Sequence, residues 1–516
     1  MENDKPSRSI DRIYVLFFLT GIWLPLIGGV LRIGSLATTE KRRLASFPVI
    51  RPTHKELARN DTVLGAYLAS LEQYPREFDA YYDDHFGFRT SFIRAHSIFM
   101  YYGLGMSPTS KVVRGKDGWL YYAGQGNIET YRGEDLFDEA ELDTWTERFE
   151  EIEEWLADRD VRYLVVIAPS KPNIYPEFLP SSVRKVGTVT RLDQLQARLA
   201  ERTKVELLDL RPALLRAKRD GLVYLKHDSH WSMFGGFSAY RALAERLQVS
   251  HPELDLLETD DFRFETWTRY GGDLTNILDL ADEMQEEELK LLYQGTVPYT
   301  WETEGLLPPI FTDGEVSELR QVPGATVQDA PGSPHVVLFH DSFSVVMIPF
   351  LAHSVRRGVY YWQPLFDPRV VAREDPDLVI HEIGERILMI ESLGRPAPAL
   401  RRDFHLRRAY RAKVESIGSL AGRPLAAGST SVEVPLALDR SGDVVLRIDI
   451  ESPEGTELRV LRGVGSTQVE VDRRRLQLER EIVYAELQDL EPGEDVLLEL
   501  DLPDAEGKLR SVEARR

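Results

Sequence analysis

The sequence predicts an α/β protein, in which a mostly parallel β-sheet covered by helices follows an apolar N-terminal helix and precedes an all-β sandwich. Three observations predict it. Between about residues 110 and 405, apolar runs of strand length alternate with stretches of helical period, the exchange that lays parallel strands under covering helices. An uncharged run opens the chain. From about Pro424, short apolar runs recur between Gly, Asp, Pro and Ser, the texture of a sandwich.

Composition removes several function classes. A chain of 516 residues, 43% of them apolar, buries two or three cores and is not a disordered chain. Its 63 basic and 84 acidic residues give a formal charge of -21, which opposes the phosphate-tracking electrostatics of nucleic-acid binding, so no nucleic-acid partner is expected. With no cysteine, disulfides, thiolate metal sites and Cys nucleophiles are excluded. Chemistry rests on Ser, His and carboxylates.

Taken in order, Ile13 to Leu31 carry no charge over 19 residues, near the ~20 of a membrane-spanning helix, so residues 1–35 are read as a transmembrane anchor. A cleaved signal is the alternative, but its apolar core usually runs only ~7 to 15 residues. Basic residues flank the run on both sides and leave its orientation open. Residues 36–109 mix charged and aromatic side chains, DHFGFR among them, and predict a membrane-proximal helical segment. GKDGWLYY then supplies a turn and an aromatic strand that open the next domain, residues 110–405. Leu142, Trp145, Phe149, Ile152 and Trp155 mark a helix, followed by the buried strand YLVVIAP. Next come a helix over 191–202, strand VELLDL, a helix near 211–219, strand LVYL and a helix from about Ser232 to Leu247. The period lapses between roughly 250 and 330, an insertion, and resumes with HVVLF, a helix near 344–353, GVYYW, a short helix, DLVIHEI and a last helix from Glu385. Residues 424–516 form the sandwich, read as a spacer module with carbohydrate binding as the alternative.

The chemistry concentrates in YLKHDSHW and HVVLFHDSFS. In an extended segment residues two apart share a face, so Asp228 can hold His230 as the base of a triad. Ser342, between an apolar strand and an apolar helix, is the candidate nucleophile, on a turn where helix N-terminal amides favour a developing oxyanion. Strand carboxyl ends gather such sites in parallel sheets. Two other readings use the same residues: Asp228 and Ser342 are ordinary helix caps, and His227, Asp228, His230, His340 and Asp341 suit Zn or Mn.

DSHW with HDSFS, flanked by GWLYY, APSKPNIYPEFLP and DLVIHEIGER, resembles the alginate O-acetyltransferase family, SGNH-hydrolase-like proteins that acetylate exopolysaccharides outside the inner membrane. The likeness covers roughly residues 75 to 395. It implies an SGNH-hydrolase-like fold, Ser342 as nucleophile, His230 as base and Asp228 as its orienting acid, with no cofactor and no metal. It also implies a polysaccharide acceptor, an acyl donor delivered by a membrane-bound O-acyltransferase, and a single-pass inner-membrane protein whose catalytic domain is extracytoplasmic, periplasmic or at the cell surface. The chain departs from the family where His340 replaces the Gly of the GDS block, and it has no match to the oxyanion Asn of ordinary SGNH esterases. By analogy in spacing Arg369 is nominated as oxyanion donor with the Ser342 N–H. Lys171, Asn173 and Tyr175 are expected to contact substrate, beside prolines that also fit a plain rigid loop. The function expected is polysaccharide O-acetylation. Its alternatives are a deacetylating esterase with the same triad, a metal-dependent hydrolase and a non-catalytic glycan-binding scaffold.

Overall fold

The computed structural model describes residues 12–20, 23, 45–51, 62–308, 323–390 and 398–516, without 414, 440, 454, 464–467, 477–479, 493 and 503–505. Most of the expected anchor, Ile13 to Leu31, lies outside the described residues. Residues 12–20 are helical, and among the described residues no helix is long and apolar enough to cross a membrane.

The chain forms two compact units. In the first, helices α1 (Val63–His85) and α2 (Arg89–Ile98) follow one another through DHFGFR, with Phe88 in left-handed backbone at φ 63°. Thr62 caps α1 by accepting the Gly65 N–H at 3.0 Å. Helical spacing stacks Tyr74 on Phe78 and Phe78 on Tyr82, with centroids 6.2 and 6.4 Å apart.

The second unit holds the central sheet. Helix α3 (Glu139–Ala157) starts at a capping box, where Asp138 accepts the Glu141 N–H and Glu141 accepts the Asp138 N–H. Its stripe of Trp145, Phe149, Ile152 and Trp155 is buried against the odd-numbered residues of β1 (Arg162–Ala168). The chain continues through α4 (Arg191–Arg202), β2 (Glu206–Asp209), α5 (Arg211–Ala217) and α6 (Met233–Gln248). Strands β3 (Phe262–Tyr270) and β4 (Gln285–Tyr293) pair as a two-stranded ribbon. After them come β5 (Thr300–Glu302), β6 (Gly324–Val327), β7 (His335–His340), α7 (Ser344–Ser354), β8 (Arg357–Trp362), α8 (Pro368–Glu374) and β9 (Leu378–Gly384). The sheet runs β2-β1-β9-β7-β8-β6-β5. Its first five strands are parallel, and β6 and β5 extend the edge antiparallel. Strands β7 and β9 are buried at every position, as strands covered on both faces must be.

Two sequence expectations are corrected here, LVYL and the helix from Glu385. LVYL is not a sheet strand: Val223 gives its N–H to the Tyr175 hydroxyl and its C=O to Ser232 N–H, while Tyr224 bridges only to Trp231. Its backbone is spent on its own loop. The insertion supplies strands of its own, since β3 and β4 form a ribbon and β5 and β6 enlarge the sheet. The helix from Glu385 is a 3-10 turn, Glu385–Met389.

Helix α9 (Pro398–Ala412) leads into the sandwich. Its two four-stranded antiparallel sheets run β10-β17-β12-β15 and β11-β16-β13-β14, with β10 (Ser416–Leu425), β11 (Gly428–Val434), β12 (Gly442–Glu451) and β13 (Glu457–Gly463). The others are β14 (Val469–Arg475), β15 (Arg480–Leu490), β16 (Asp495–Leu502) and β17 (Gly507–Arg515). Val444, Leu446, Ile448 and Ile450 on β12 face Val496, Leu498, Leu500 and Leu502 on β16 in one core, the period of two expected of a sandwich. Asp158, at the end of α3, ties this module on. Its Oδ2 accepts from buried Arg407 at 2.8 Å and from the Tyr484 hydroxyl at 2.6 Å, and its Oδ1 accepts from Arg411 at 3.0 Å.

Candidate active site

Strand β7 delivers Asp341, Ser342 and Phe343 to the turn before α7, at the carboxyl edge of the sheet. The turn is pinned from beneath. Asp341 Oδ1 accepts the Phe343 N–H at 2.9 Å, and Oδ2 accepts the Gly384 N–H at 2.8 Å from the end of β9. A Cβ at position 384 would lie 2.9 Å from that oxygen, which explains the glycine. Glu382 Oε2 accepts the Ser344 hydroxyl at 2.8 Å and the Asp341 N–H at 3.3 Å. Burial first, then the Asp341 charge, push the Glu382 carboxyl well above its usual range, and these two donors offset only part of that.

The histidine loop docks on the same turn. Trp231 Nε1 donates to the Phe343 carbonyl at 3.0 Å, and the Phe343 ring lies edge-on to His230 at 5.0 Å. His230 Nε2 stands 2.7 Å from Ser342 Oγ, and Nδ1 stands 2.8 Å from Asp228 Oδ1. A carboxylate only accepts, so Nδ1 carries the proton and Nε2 is left to accept from the serine hydroxyl. Asp228 Oδ1 also takes the His230 N–H at 3.1 Å, and Oδ2 takes Arg269 Nη2 at 2.9 Å. Burial raises the Asp228 carboxyl, but the His230 ring, the His230 N–H and the Arg269 guanidinium outweigh it and hold the group well below the usual carboxylate range.

These side chains open onto a cavity of about 220 Å³. Leu225, Trp231, Val345, Val346 and Trp362 make its apolar wall; Arg269 and Glu288, from the β3–β4 ribbon, make the polar one. Trp362 closes β8 beside His340, its partner in register. His340 is fully buried, with Nδ1 donating to the Asp341 carbonyl at 2.7 Å, and burial lowers its pKa to about 4.

The remaining expected site residues are placed elsewhere. Lys171 is buried, with Nζ donating to the carbonyls of Leu120, Lys226 and Asp228 at 2.7 to 3.0 Å, so it braces the histidine loop from behind. Asn173 donates to Glu385 Oε2 at 2.7 Å, and Tyr175 is buried with its hydroxyl on Val223 N–H. None of the three lines the cavity, and the role expected of them as substrate contacts has no geometry behind it. Arg369 is likewise absent from the lining. Its guanidinium donates to Asp367, the cap of its own helix, at 2.8 and 3.1 Å. Among the described residues, no three of His227, Asp228, His230, His340 and Asp341 bring ligand atoms together.

Sequence reasoning missed Arg269, Glu288, Trp362 and Glu382. The alternation in FRFETWTRY was a signal for the Arg269 strand, but it lay in a stretch read as lacking a period.

Residues 112–307 match the family model described as ALGX: SGNH hydrolase-like domain, acetyltransferase AlgX. Asp228 and His230 fall inside the match and Ser342 outside it. The probable alginate O-acetylase AlgJ of Pseudomonas aeruginosa is 29% identical over 169 residues, 33% of this chain and 40% of that protein. The AlgJ of Azotobacter vinelandii is 26% identical over 240 residues, 45% of this chain and 56% of that protein. The chain thus spans about half the length of the curated relatives it matches. The solved O-acetyltransferase domain of Pseudomonas putida AlgJ aligns with a TM-score of 0.36 at 21% identity, over 58% of this chain and 99% of that one. Over residues 112–307 the chain is therefore similar to the SGNH hydrolase-like acetyltransferase domain of AlgX, and it is a distant homologue of the alginate O-acetylases AlgJ.

Proposed function

We propose that the chain is an O-acetyltransferase that moves acetyl groups onto hydroxyls of a cell-surface polysaccharide through an acyl-Ser342 intermediate. The observation that carries this reading is the hydrogen-bonded line Arg269, Asp228, His230, Ser342 at the edge of one cavity. Ser342 Oγ attacks the acyl carbonyl as its proton passes to His230 Nε2, and the leaving group departs with that proton. A sugar hydroxyl then attacks the acyl-serine, gives its proton to Nε2, and Ser342 Oγ leaves and recovers it. Asp228 keeps the imidazole in the useful tautomer and stabilises its charged form. The same reading places the catalytic domain outside the inner membrane, anchored by the apolar run at 13–31 and supplied by a membrane-bound O-acyltransferase.

The test uses the full chain with 4-nitrophenyl acetate. Ser342→Ala and His230→Ala should each lower Ser342-dependent nitrophenol release by at least ~10³-fold, the usual scale for loss of a triad member. Full activity in Ser342→Ala overturns the assignment. Mass spectrometry of added oligosaccharides then separates the acceptors: sugars gaining an acetyl group support transfer, whereas acetate alone marks an esterase.

A further inference from the structure

We infer that the acceptor sugar bound at this cavity is uncharged, and that Glu288 receives it by accepting hydroxyl hydrogens. This rests on the acetyl-transfer reading above and names its substrate class. Glu288 projects from β4 into the cavity that holds Ser342, and its side chain is 15% exposed. It forms an ion pair with Arg269 Nη1 at 3.7 Å, beyond hydrogen-bond length, so the pairing leaves its oxygens able to accept hydrogens from a ligand. Arg269 itself is committed to Asp228 at 2.9 Å. The lining thus carries two carboxylates against one guanidinium, and both nitrogens of His230 are engaged. Lys290, two residues along β4, sits 3.4 Å over the Trp267 ring and is not part of the lining.

A uronate entering here meets uncompensated negative charge at close range, and from afar a protein of formal charge -21. Two like charges ~7 Å apart at an effective dielectric of ~20 to 40 repel strongly enough to cost about tenfold or more in affinity. A neutral sugar avoids that cost. Its hydroxyls make charge-assisted hydrogen bonds to Glu288, while its C–H face lies against Trp362 and Val345. Its relatives are named for alginate, in which every sugar bears a carboxylate; the cavity points this chain to a different polymer.

The experiment gives the full chain 4-nitrophenyl acetate and two acceptor sets, neutral cello-, manno- and N-acetylchito-oligosaccharides, and oligomannuronate with oligoguluronate. At least one neutral set should be acetylated with kcat/KM about tenfold or more above either uronate. The gap should narrow as salt rises from ~20 to ~500 mM, because screening shortens the reach of the charges. It should narrow again in Glu288→Gln, which keeps an acceptor oxygen but drops the charge; circular dichroism and the urea midpoint of the variant report that it is folded. Uronates acetylated as well as the neutral sugars, a gap insensitive to both salt and Glu288→Gln, or no acetylated sugar of either class overturns the inference while the triad stands. Absence of Ser342-dependent nitrophenol release overturns the acetyl-transfer reading, and this inference with it.

Discussion

Glu382 governs the turn that presents Ser342 without touching the serine. Its Oε2 is the shared acceptor for the Ser344 hydroxyl and the Asp341 N–H. Glu382→Gln keeps an acceptor there, so nitrophenol release should stay within ~3-fold of the parent, whereas Glu382→Leu leaves both donors unmet at about 1 to 3 kcal/mol each. Urea midpoints will separate the two variants. Their pH dependence follows from the raised carboxyl. The unfolded chain loses this proton near pH 4.5 while the folded chain keeps it, so the Glu382 contribution is complete at low pH and is lost as pH rises. Glu382→Gln has no such loss; its stability relative to the parent should improve from pH 5 to pH 9, and a flat difference counts against a neutral Glu382. The meeting of Asp228, His230 and Ser342 was legible because each sits in a short motif whose local geometry fixes its direction, an extended Asp-x-His and a strand-to-helix turn. Glu382 and Arg269 were not, since their partners stand 38 and 41 residues away and no local pattern announces such a pairing.

At the scale of elements, the helical period of α3 was readable because one face carries large side chains and the rest is acidic. Phe149, fully buried, packs between Trp145 and the His381 edge. Phe149→Ala should cost about 3 to 5 kcal/mol through the cavity it leaves, read as a lower urea midpoint with nitrophenol release per folded molecule unchanged. LVYL misled for a physical reason: composition reports what a run can pair with, and here the Tyr175 hydroxyl and the loop's own Ser232 took the backbone groups first.

For the molecule as a whole, the sandwich and the catalytic sheet share one electrostatic knot at Asp158. Arg407 is fully buried, so Asp158→Ala strands a guanidinium in the interior, a loss of about 3 to 5 kcal/mol for a broken buried pair. Calorimetry should show a lower and broader unfolding transition, or two where the parent has one; an unchanged transition would mean that packing and the remaining pairs, Arg408–Glu150 and Arg411–Glu154, hold the modules without Asp158. The sandwich strands were legible from their period of two. The knot was not, because Asp158 reaches Arg407 and Tyr484 across 249 and 326 residues.

The position of β9 sets the order in which the site is made. It is the last strand of the sheet in sequence, yet it lies between β1 and β7 and joins the early strands to the late ones. During synthesis the early pair β1–β2 and the late pair β7–β8 therefore have no common sheet until residues 378–384 emerge. Gly384, which closes that strand, donates to the Asp341 carboxylate beneath Ser342. The nascent chain thus carries an unbraced nucleophile from the emergence of Ser342 until that of Gly384, and completion of the sheet and alignment of the serine coincide in one late event.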